Sequence, residues 1–248
     1  MTVDQILNHI LADPSHLLRQ RIETWIRASS RFRAFTETYH GKIRKKLRDA
    51  GDSEAIEDIA FELQTAYLLL HERRFELEYE PRFVNRTRSP DFTVTFKTHV
   101  RLNVEVKRSR VPTREPVGVD DPVALMKQHE VAKWIGGVCD KLGQMSPDCP
   151  NLLVMSAISS YYRVEELHAA LARLRLQAES NVDEVFRARG FAGAKDWLHQ
   201  YRQLSAIMIR PDPAATAALP TILWFNSLAK HPVPDDLRSV LRRLTLAA

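Results

Sequence analysis

The sequence predicts an α/β protein with a mixed central sheet, preceded by an N-terminal helical extension. Segments in which apolar and polar residues alternate with period two, as in strands, are interspersed with longer segments of helical periodicity. One segment, residues 151–156, is dominated by apolar residues, which is typical of a buried strand. A chain of 248 residues with 44% hydrophobic composition can bury a core of this kind.

The first 50 residues are predicted to be helical. Apolar residues recur with helical spacing over residues 3–12, 15–27 and 31–49. The third helix ends in the basic run 42–48, which is either a solvated helix face or a phosphate contact. Gly51 and the polar residues after it interrupt the pattern, so we divide the chain into an α-helical extension, residues 1–50, and a second domain, residues 51–248.

A long helix and a strand are predicted next. Residues 53–73 place their apolar positions on one helical face, and residues 75–81 alternate as the first strand. Glu62 lies at the rim of the helical face, with apolar neighbours on the helix surface, where a charge is disfavoured without a partner. It is therefore either a functional carboxylate or one partner of an arginine salt bridge.

The central feature is a hairpin. Residues 91–96 and 102–107 each have one apolar and one polar face, and a short connection joins them in an antiparallel arrangement. A loop of odd length centred on Thr98 places Asp91 directly opposite Glu105. Carboxylates held roughly 5 Å apart across a ladder repel one another. This repulsion destabilises the hairpin unless a cation lies between Asp91 and Glu105.

A short motif lies on this hairpin. Pro90-Asp91, thirteen further residues and then Glu105-Val106-Lys107 resemble the PD-(D/E)xK motif of the restriction-endonuclease-like nuclease superfamily. The resemblance implies an αβββαβ core around the mixed sheet, with the motif on its central hairpin. It also implies a Mg²⁺-dependent endodeoxyribonuclease that acts in restriction, phage defence or DNA repair.

The resemblance assigns four catalytic residues, namely Asp91, Glu105, Lys107 and Glu62. It implies that Mg²⁺, for which Mn²⁺ should substitute, is bound by Asp91, Glu105, Glu62 and the carbonyl of Val106, since a hard cation prefers oxygen ligands. Lys107 either stabilises the transition state as a fixed charge or deprotonates the attacking water, and both roles remain open.

After a loop over residues 108–121, the chain is predicted to extend the same sheet. A helix over residues 122–145 carries three weaker candidates for phosphate or water contact, which are otherwise ordinary surface residues: Gln128, Lys141 and Gln144. The remaining predicted helices cover residues 164–178, 182–189, 194–200 and 234–244. The remaining predicted strands cover residues 151–156, 205–209 and 221–226.

The charge of the chain favours a polyanionic partner, because the net charge is +5 and the isoelectric point is near 9.3. Six arginines from the loops that flank the hairpin strands are expected to contact the DNA phosphate backbone: Arg82, Arg86, Arg88, Arg108, Arg110 and Arg114. The alternative is that they pair with surface acids of the neighbouring strand, which are Glu76, Glu78 and Glu80.

Several other classes of protein are disfavoured. The nine histidines form no zinc-hydrolase motif, and no glycine-rich phosphate loop indicates an NTPase. No apolar run of about 18 residues and no signal-peptide pattern occurs, so we expect a cytoplasmic protein with no membrane partner. The alternatives within the same fold are a catalytically silent nucleic-acid-binding module and an RNA-directed nuclease. A homodimer is left open.

Overall fold

The fold is described by a computed structural model, which covers residues 1–81, 89–109, 122–157, 163–212 and 220–246, with the backbone alone over 122–130. Six strands lie in one open sheet: β1 (Phe75–Tyr79), β2 (Phe92–Phe96), β3 (Val100–Lys107), β4 (Asn151–Ala157), β5 (Ala206–Pro211) and β6 (Ile222–Phe225). The helices of these ranges are α1 (Val3–Ile10), α2 (Arg19–Ala28), α3 (Ser30–Asp49), α4 (Ser53–Leu69), α5 (Pro122–Leu142), α6 (Val164–Glu179), α7 (Asp183–Arg187), α8 (Ala194–Tyr201) and α9 (Asp235–Leu246). None of them combines the length and apolar character needed to cross a membrane.

The predicted α/β class and the mixed sheet are confirmed. The strands are ordered β1 to β6 across the sheet; β1, β2 and β3 pair antiparallel, β3, β4 and β5 run parallel, and β6 is antiparallel to β5. Each predicted helix and strand is present, with bounds that differ by a few residues at the ends. The strand predicted to reach residue 81 ends at Tyr79, because Glu80 adopts a left-handed φ of 43° that breaks the extended backbone.

The hairpin between β2 and β3 has the predicted register. Phe92 pairs with Val104, and residues 97–99 form a three-residue loop, so the predicted odd loop length is confirmed. Because paired residues share one face of an antiparallel ladder, the register also fixes which side chains can meet. One step beyond the Phe92–Val104 pair, the same register brings Asp91 opposite Glu105.

Helices cover both faces of the sheet and form two hydrophobic cores. Helices α1 to α4 and α9 cover the first face, where Val94 and Val104 contribute to the core. Helices α5 to α8 cover the second face, where Leu153 and Ile207 contribute. Among the described residues, β1, β2 and β3 contribute nothing to the second core. The polar face of the hairpin therefore lies at the margin of the second helical layer.

The helices of residues 1–50 pack against the sheet in the first core. The ring of Phe35, on α3, lies 6.3 Å from that of Phe92 and 5.7 Å from that of Tyr79, measured between centroids. This packing carries the basic end of α3 to the end of β1. There Lys42 Nζ donates to the carbonyl oxygens of Tyr79 and Glu80, at 2.7 and 2.8 Å.

Candidate active site

Asp91 and Glu105 lie at the end of the hairpin opposite its loop. Asp91 Oδ2 accepts a hydrogen bond of 2.7 Å from the backbone N–H of Val106, and the Asp91 carbonyl accepts one of 2.9 Å from the N–H of Glu80. Glu105 is 2% exposed, and its Oε1 has no hydrogen-bond partner in the described part of the chain. The ends of β1 and β3 therefore hold Asp91 in place beside a buried carboxylate.

The cation that the opposed carboxylates require is the ammonium of Lys141, in the last turn of α5. Lys141 Nζ donates to Glu105 Oε2 at 2.8 Å and lies 3.8 Å from Asp91 Oδ2. It also donates to Gln144 Oε1, at 3.2 Å. The sequence makes Lys141 and Gln144 only weak candidates for phosphate or water contact, with ordinary surface residues as the alternative. The structure brings Lys141 to the centre of the site.

Glu62, on α4, is 7% exposed and is paired with Lys46 of α3. Lys46 Nζ lies 2.7 Å from Glu62 Oε1 and 2.9 Å from Oε2. The same ammonium lies 2.8 Å from Glu80 Oε1, at the end of β1. Glu62 therefore forms a salt bridge, which is one of the two alternatives predicted for it. The cation is a lysine from the first 50 residues rather than an arginine.

Burial raises the pKa of Glu62 to about 7, with the charge of Asp91 adding to the rise and Lys46 opposing it. Burial and Asp91 also raise the pKa of Glu105 to about 7, against the opposing charge of Lys141. Burial alone would lower the pKa values of both lysines, but their acidic neighbours raise them. The pKa of each glutamate rises although a lysine is nearby, because the glutamate is buried and also faces the Asp91 charge. The pKa of each lysine rises because the lysine faces more than one acid. Near neutral pH these two carboxyl groups are thus poised between their charged and neutral forms.

Lys107 lines a cavity of about 600 Å³ beside this cluster. Its Nζ lies 3.6 Å from Asp140 Oδ2, and its side chain is 41% exposed. The remaining lining comes from the end of β3, from α4 and from α5: Asp58, Glu62, Val106, Arg108, Ser109, Lys133, Gly136, Gly137, Asp140, Lys141 and Gln144. Lys107 therefore faces open space next to Glu105, on the rim of the site rather than between the carboxylates.

Gly137 allows α5 to approach the sheet closely. A Cβ atom at this position would lie 2.8 Å from Met155 Cε and 3.5 Å from Lys107 Cγ. A larger residue would push α5 away from β3 and β4 unless the Met155 side chain moved. The small residue thus helps to place Lys141, one helical turn later, within hydrogen-bonding distance of Glu105.

Arg108 is not placed for DNA contact, which corrects its predicted assignment. Its side chain is 2% exposed, with Nη1 2.7 Å from Glu54 Oε2 and 3.6 Å from Asp58 Oδ1, and Nε 2.8 Å from Asp212 Oδ2. Turning the guanidinium toward a phosphate would break all three ion pairs. Asp212 is 104 positions away in the chain, so local sequence patterns do not reveal this environment. The other predicted contacts, together with the Gln128 side chain, lie outside the described residues: Arg82, Arg86, Arg88, Arg110 and Arg114.

Lys46 is the site residue that sequence reasoning missed. Within the basic run, it was indistinguishable from a solvated or phosphate-binding lysine. Its helix neighbours Ile43 and Leu47 are buried, so Lys46 lies at the rim of an apolar face, as Glu62 does on the next helix. Two rim positions of opposite charge on consecutive helices are the signal that predicts such a pair.

The donor atoms at Asp91 and Glu105 fit a hard divalent cation. Both residues offer carboxylate oxygens, which Mg²⁺ and Mn²⁺ prefer, and the buried Glu105 Oε1 lacks a hydrogen-bond partner among the described residues. The Val106 carbonyl and Glu62 would complete the set that the motif implies. In the described ranges, no three His, Cys, Asp or Glu side chains are grouped closely enough to hold a metal ion.

Comparisons with known proteins identify no family for this chain. No protein-family model, no curated protein and no solved structure matches it. Its function therefore has to be inferred from its own residues and their geometry.

Proposed function

We propose that this chain has a restriction-endonuclease-like core and is a metal-dependent endodeoxyribonuclease acting in restriction, phage defence or DNA repair. One observation carries the proposal. Asp91 and Glu105 meet across the end of the hairpin, and Lys107 lines an adjoining cavity of about 600 Å³. A buried glutamate with a raised pKa, as Glu105 and Glu62 have, beside an open polar cavity is typical of a catalytic site.

Phosphodiester hydrolysis requires a nucleophile near neutral pH and neutralisation of the charge that develops on the phosphate. A divalent ion held by Asp91, Glu105 and the Val106 carbonyl supplies both. The protein fixes Asp91 through the Val106 N–H, at 2.7 Å. Lys107 presents positive charge to a phosphate oxygen from the rim of the cavity. Glu62 would hold a second ion or a metal-bound water.

The charge around the cavity supports a nucleic-acid substrate. Four basic side chains, Lys107, Arg108, Lys133 and Lys141, line it beside three acids, Asp58, Glu62 and Asp140, so the cations exceed the acids by one. Contacts from such side chains to the phosphate backbone position a duplex without reading its sequence. The loop arginines Arg82, Arg86, Arg88, Arg110 and Arg114 would extend this contact along the backbone.

One observation favours a second candidate, a catalytically silent nucleic-acid-binding module of the same fold. Lys141 donates to Glu105 Oε2 at 2.8 Å and so neutralises a carboxylate that a metal ion would use. If this pair is permanent, the carboxylates serve stability and the basic cavity serves binding alone.

Cleavage of supercoiled plasmid DNA, with an RNA substrate in parallel, tests the proposal. Wild-type protein should cut DNA with Mg²⁺ or Mn²⁺ and not with EDTA. Asp91→Asn and Glu105→Gln should lower the rate by about 100-fold or more, because each removes a charged ligand at the reacting centre. Glu78→Gln, an exposed acid on β1, is the matched control and should cleave normally.

The other outcomes are separable. Metal-dependent cleavage of RNA alone would identify an RNA-directed nuclease. Salt-sensitive binding of DNA without cleavage in either metal would favour the silent module. Full activity in Asp91→Asn or Glu105→Gln would remove these residues from the active site.

A further inference from the structure

The Lys141 ammonium lies where a cation is required between two acids. Its Nζ is 2.8 Å from Glu105 Oε2 and 3.8 Å from Asp91 Oδ2. The lysine side chain is 15% exposed and that of Glu105 is 3% exposed, so solvent screens this pair only weakly. In the absence of another cation, the lysine therefore offsets the repulsion between the acids.

The same carboxylates are the ones that a divalent ion would use. An ammonium is a compact point charge with three donors, and it satisfies carboxylate oxygens much as a metal ion does. Glu105 Oε1 is open to a metal ion, but an ion there would lie close to the Lys141 ammonium on Oε2, and the two cations would repel one another. Binding of the ion therefore favours movement of the ammonium away from the carboxylates. The flexible four-carbon stem of lysine permits such a movement, and Lys141 also lines the open cavity.

We infer that Lys141 is an internal counter-cation that competes with a divalent metal ion for Asp91 and Glu105 and is displaced into the cavity when the ion binds. This inference rests on the proposed function, since it concerns the ion of the same site. In the displaced position, the ammonium joins Lys107 at the cavity and faces the phosphodiester. Lys141 then sets the affinity of the site for metal and adds a positive charge for the substrate.

The test is a calorimetric titration of EDTA-dialysed protein with Mn²⁺ and, separately, with Ca²⁺. Lys141→Met should bind both ions about tenfold more tightly than wild type, because the charged hydrogen bond that metal must displace is gone. Lys141→Gln is a second variant with a polar side chain, in case the Met variant does not fold. Lys195→Met removes a charge from an exposed position of α8 that does not line the cavity, and should bind metal as wild type does.

A second readout separates competition from a structural role. Without metal, Lys141→Met should melt at a lower temperature than wild type, and Mn²⁺ should raise its melting temperature by more than that of wild type. In a Glu105→Gln background, Lys141→Met should change the metal affinity and the metal-dependent melting temperature by less than it does in wild type, because one of the two contested carboxylates is absent. A purely structural lysine would lower the melting temperature with no gain in metal affinity.

Unchanged or weaker metal binding in Lys141→Met and Lys141→Gln would overturn the inference, as would an absence of binding in wild type and both variants. These results do not decide whether the protein is a nuclease, which plasmid cleavage tests separately. If wild type cleaves plasmid but the variants bind metal with unchanged affinity, the nuclease proposal is supported and the competition between Lys141 and metal is refuted. If the variants bind metal more tightly but wild type does not cleave plasmid, the competition is supported and the nuclease proposal is refuted.

Discussion

Lys46 Nζ lies 2.7 Å from Glu62 Oε1, so a helix of the first 50 residues neutralises a buried carboxylate on the helix that precedes the hairpin. The same ammonium lies 2.8 Å from Glu80 Oε1, at the end of β1. Lys46 thus joins α3, α4 and β1 beside the candidate active site. The N-terminal helices are therefore part of the environment that sets the charge of Glu62.

Replacing Lys46 with methionine should destabilise the protein by about 2 kcal/mol, because Glu62 is left buried without its cation. The value is below that for a fully buried pair, since the Lys46 side chain is 28% exposed. Urea denaturation measures the change. Lys45→Met, an exposed neighbour on the same helix, is the control and should be nearly neutral.

The double variant Lys46→Met, Glu62→Gln should recover most of the lost stability, because the uncompensated charge is removed with its partner. If both single and double variants are equally unstable, the loss comes from packing of the lysine stem and the ion pair contributes little.

The pH dependence of stability should report the two buried glutamates. The pKa of Glu62 and that of Glu105 rise from 4.5 to about 7 on folding, so the native state binds protons that the unfolded state releases. Their contribution is fully present below about pH 4.5 and is lost as the pH rises through about 7. The free energy of unfolding of wild type, relative to Glu62→Gln, should fall by on the order of 2 kcal/mol across this window.

Asp91→Asn provides the matched comparison for this pH effect. Removing the Asp91 charge eliminates the second largest cause of both rises, so the dependence on pH should become shallower without disappearing. Urea titrations from pH 5 to pH 8 would measure it. Stability that stays level through this window relative to Glu62→Gln, apart from a slight rise near pH 5, would mean that Glu62 is charged throughout and held by Lys46.

The sequence predicted the hairpin and its register because both depend on local patterns. Alternating residues define the two strands, and their spacing around Thr98 predicts that Asp91 lies opposite Glu105, in agreement with the observed register. The requirement for a cation followed from simple repulsion. Its identity did not, because Lys141 is 36 positions from Glu105 and reaches it only through the packing of α5 on the sheet.

The environment of Arg108 also depends on residues that are distant in the sequence. Nothing near it in the sequence distinguishes it from the neighbouring arginines, since all of them lie in a basic region with few acids. Its partners come from the start of α4 and the end of β5, which the parallel strand order brings beside the end of β3. Charge composition alone predicts a surface contact, whereas topology determines that this guanidinium is buried.

Arg108→Met should therefore destabilise the protein by about 3 to 5 kcal/mol, because it breaks a buried network and leaves Asp212 without this guanidinium. Arg101→Met, an exposed arginine on the same strand, should change stability by less than about 0.5 kcal/mol. Guanidinium chloride would screen the ion pairs, so urea is the suitable denaturant. Equal stability of the two variants would show that the network contributes nothing.

The last prediction concerns the loop arginines that remain candidates for the phosphate backbone. If Arg86 and Arg88 each contact a phosphate, their binding to duplex DNA releases counterions, and log affinity falls with log salt at about −0.9 per contact. The double variant Arg86→Gln, Arg88→Gln should therefore lower the magnitude of this slope by about two. Affinity should weaken alike for unrelated sequences, because backbone contacts carry no base information. Fluorescence anisotropy over a salt series, with Ca²⁺ to prevent cleavage, measures both.

The control is Arg187→Gln, Arg189→Gln, which removes the same charge from exposed positions at α7, in the second helical layer. If affinity depends only on net charge, the two double variants will show the same slope. If the loop arginines instead pair with Glu76 and Glu78, which are exposed along β1, the slope of the Arg86, Arg88 variant will match that of wild type. Glu80 is a weaker partner for them, because its carboxylate already meets Lys46 at 2.8 Å. A slope reduced only in the Arg86, Arg88 variant would identify these two arginines as contacts to the DNA backbone.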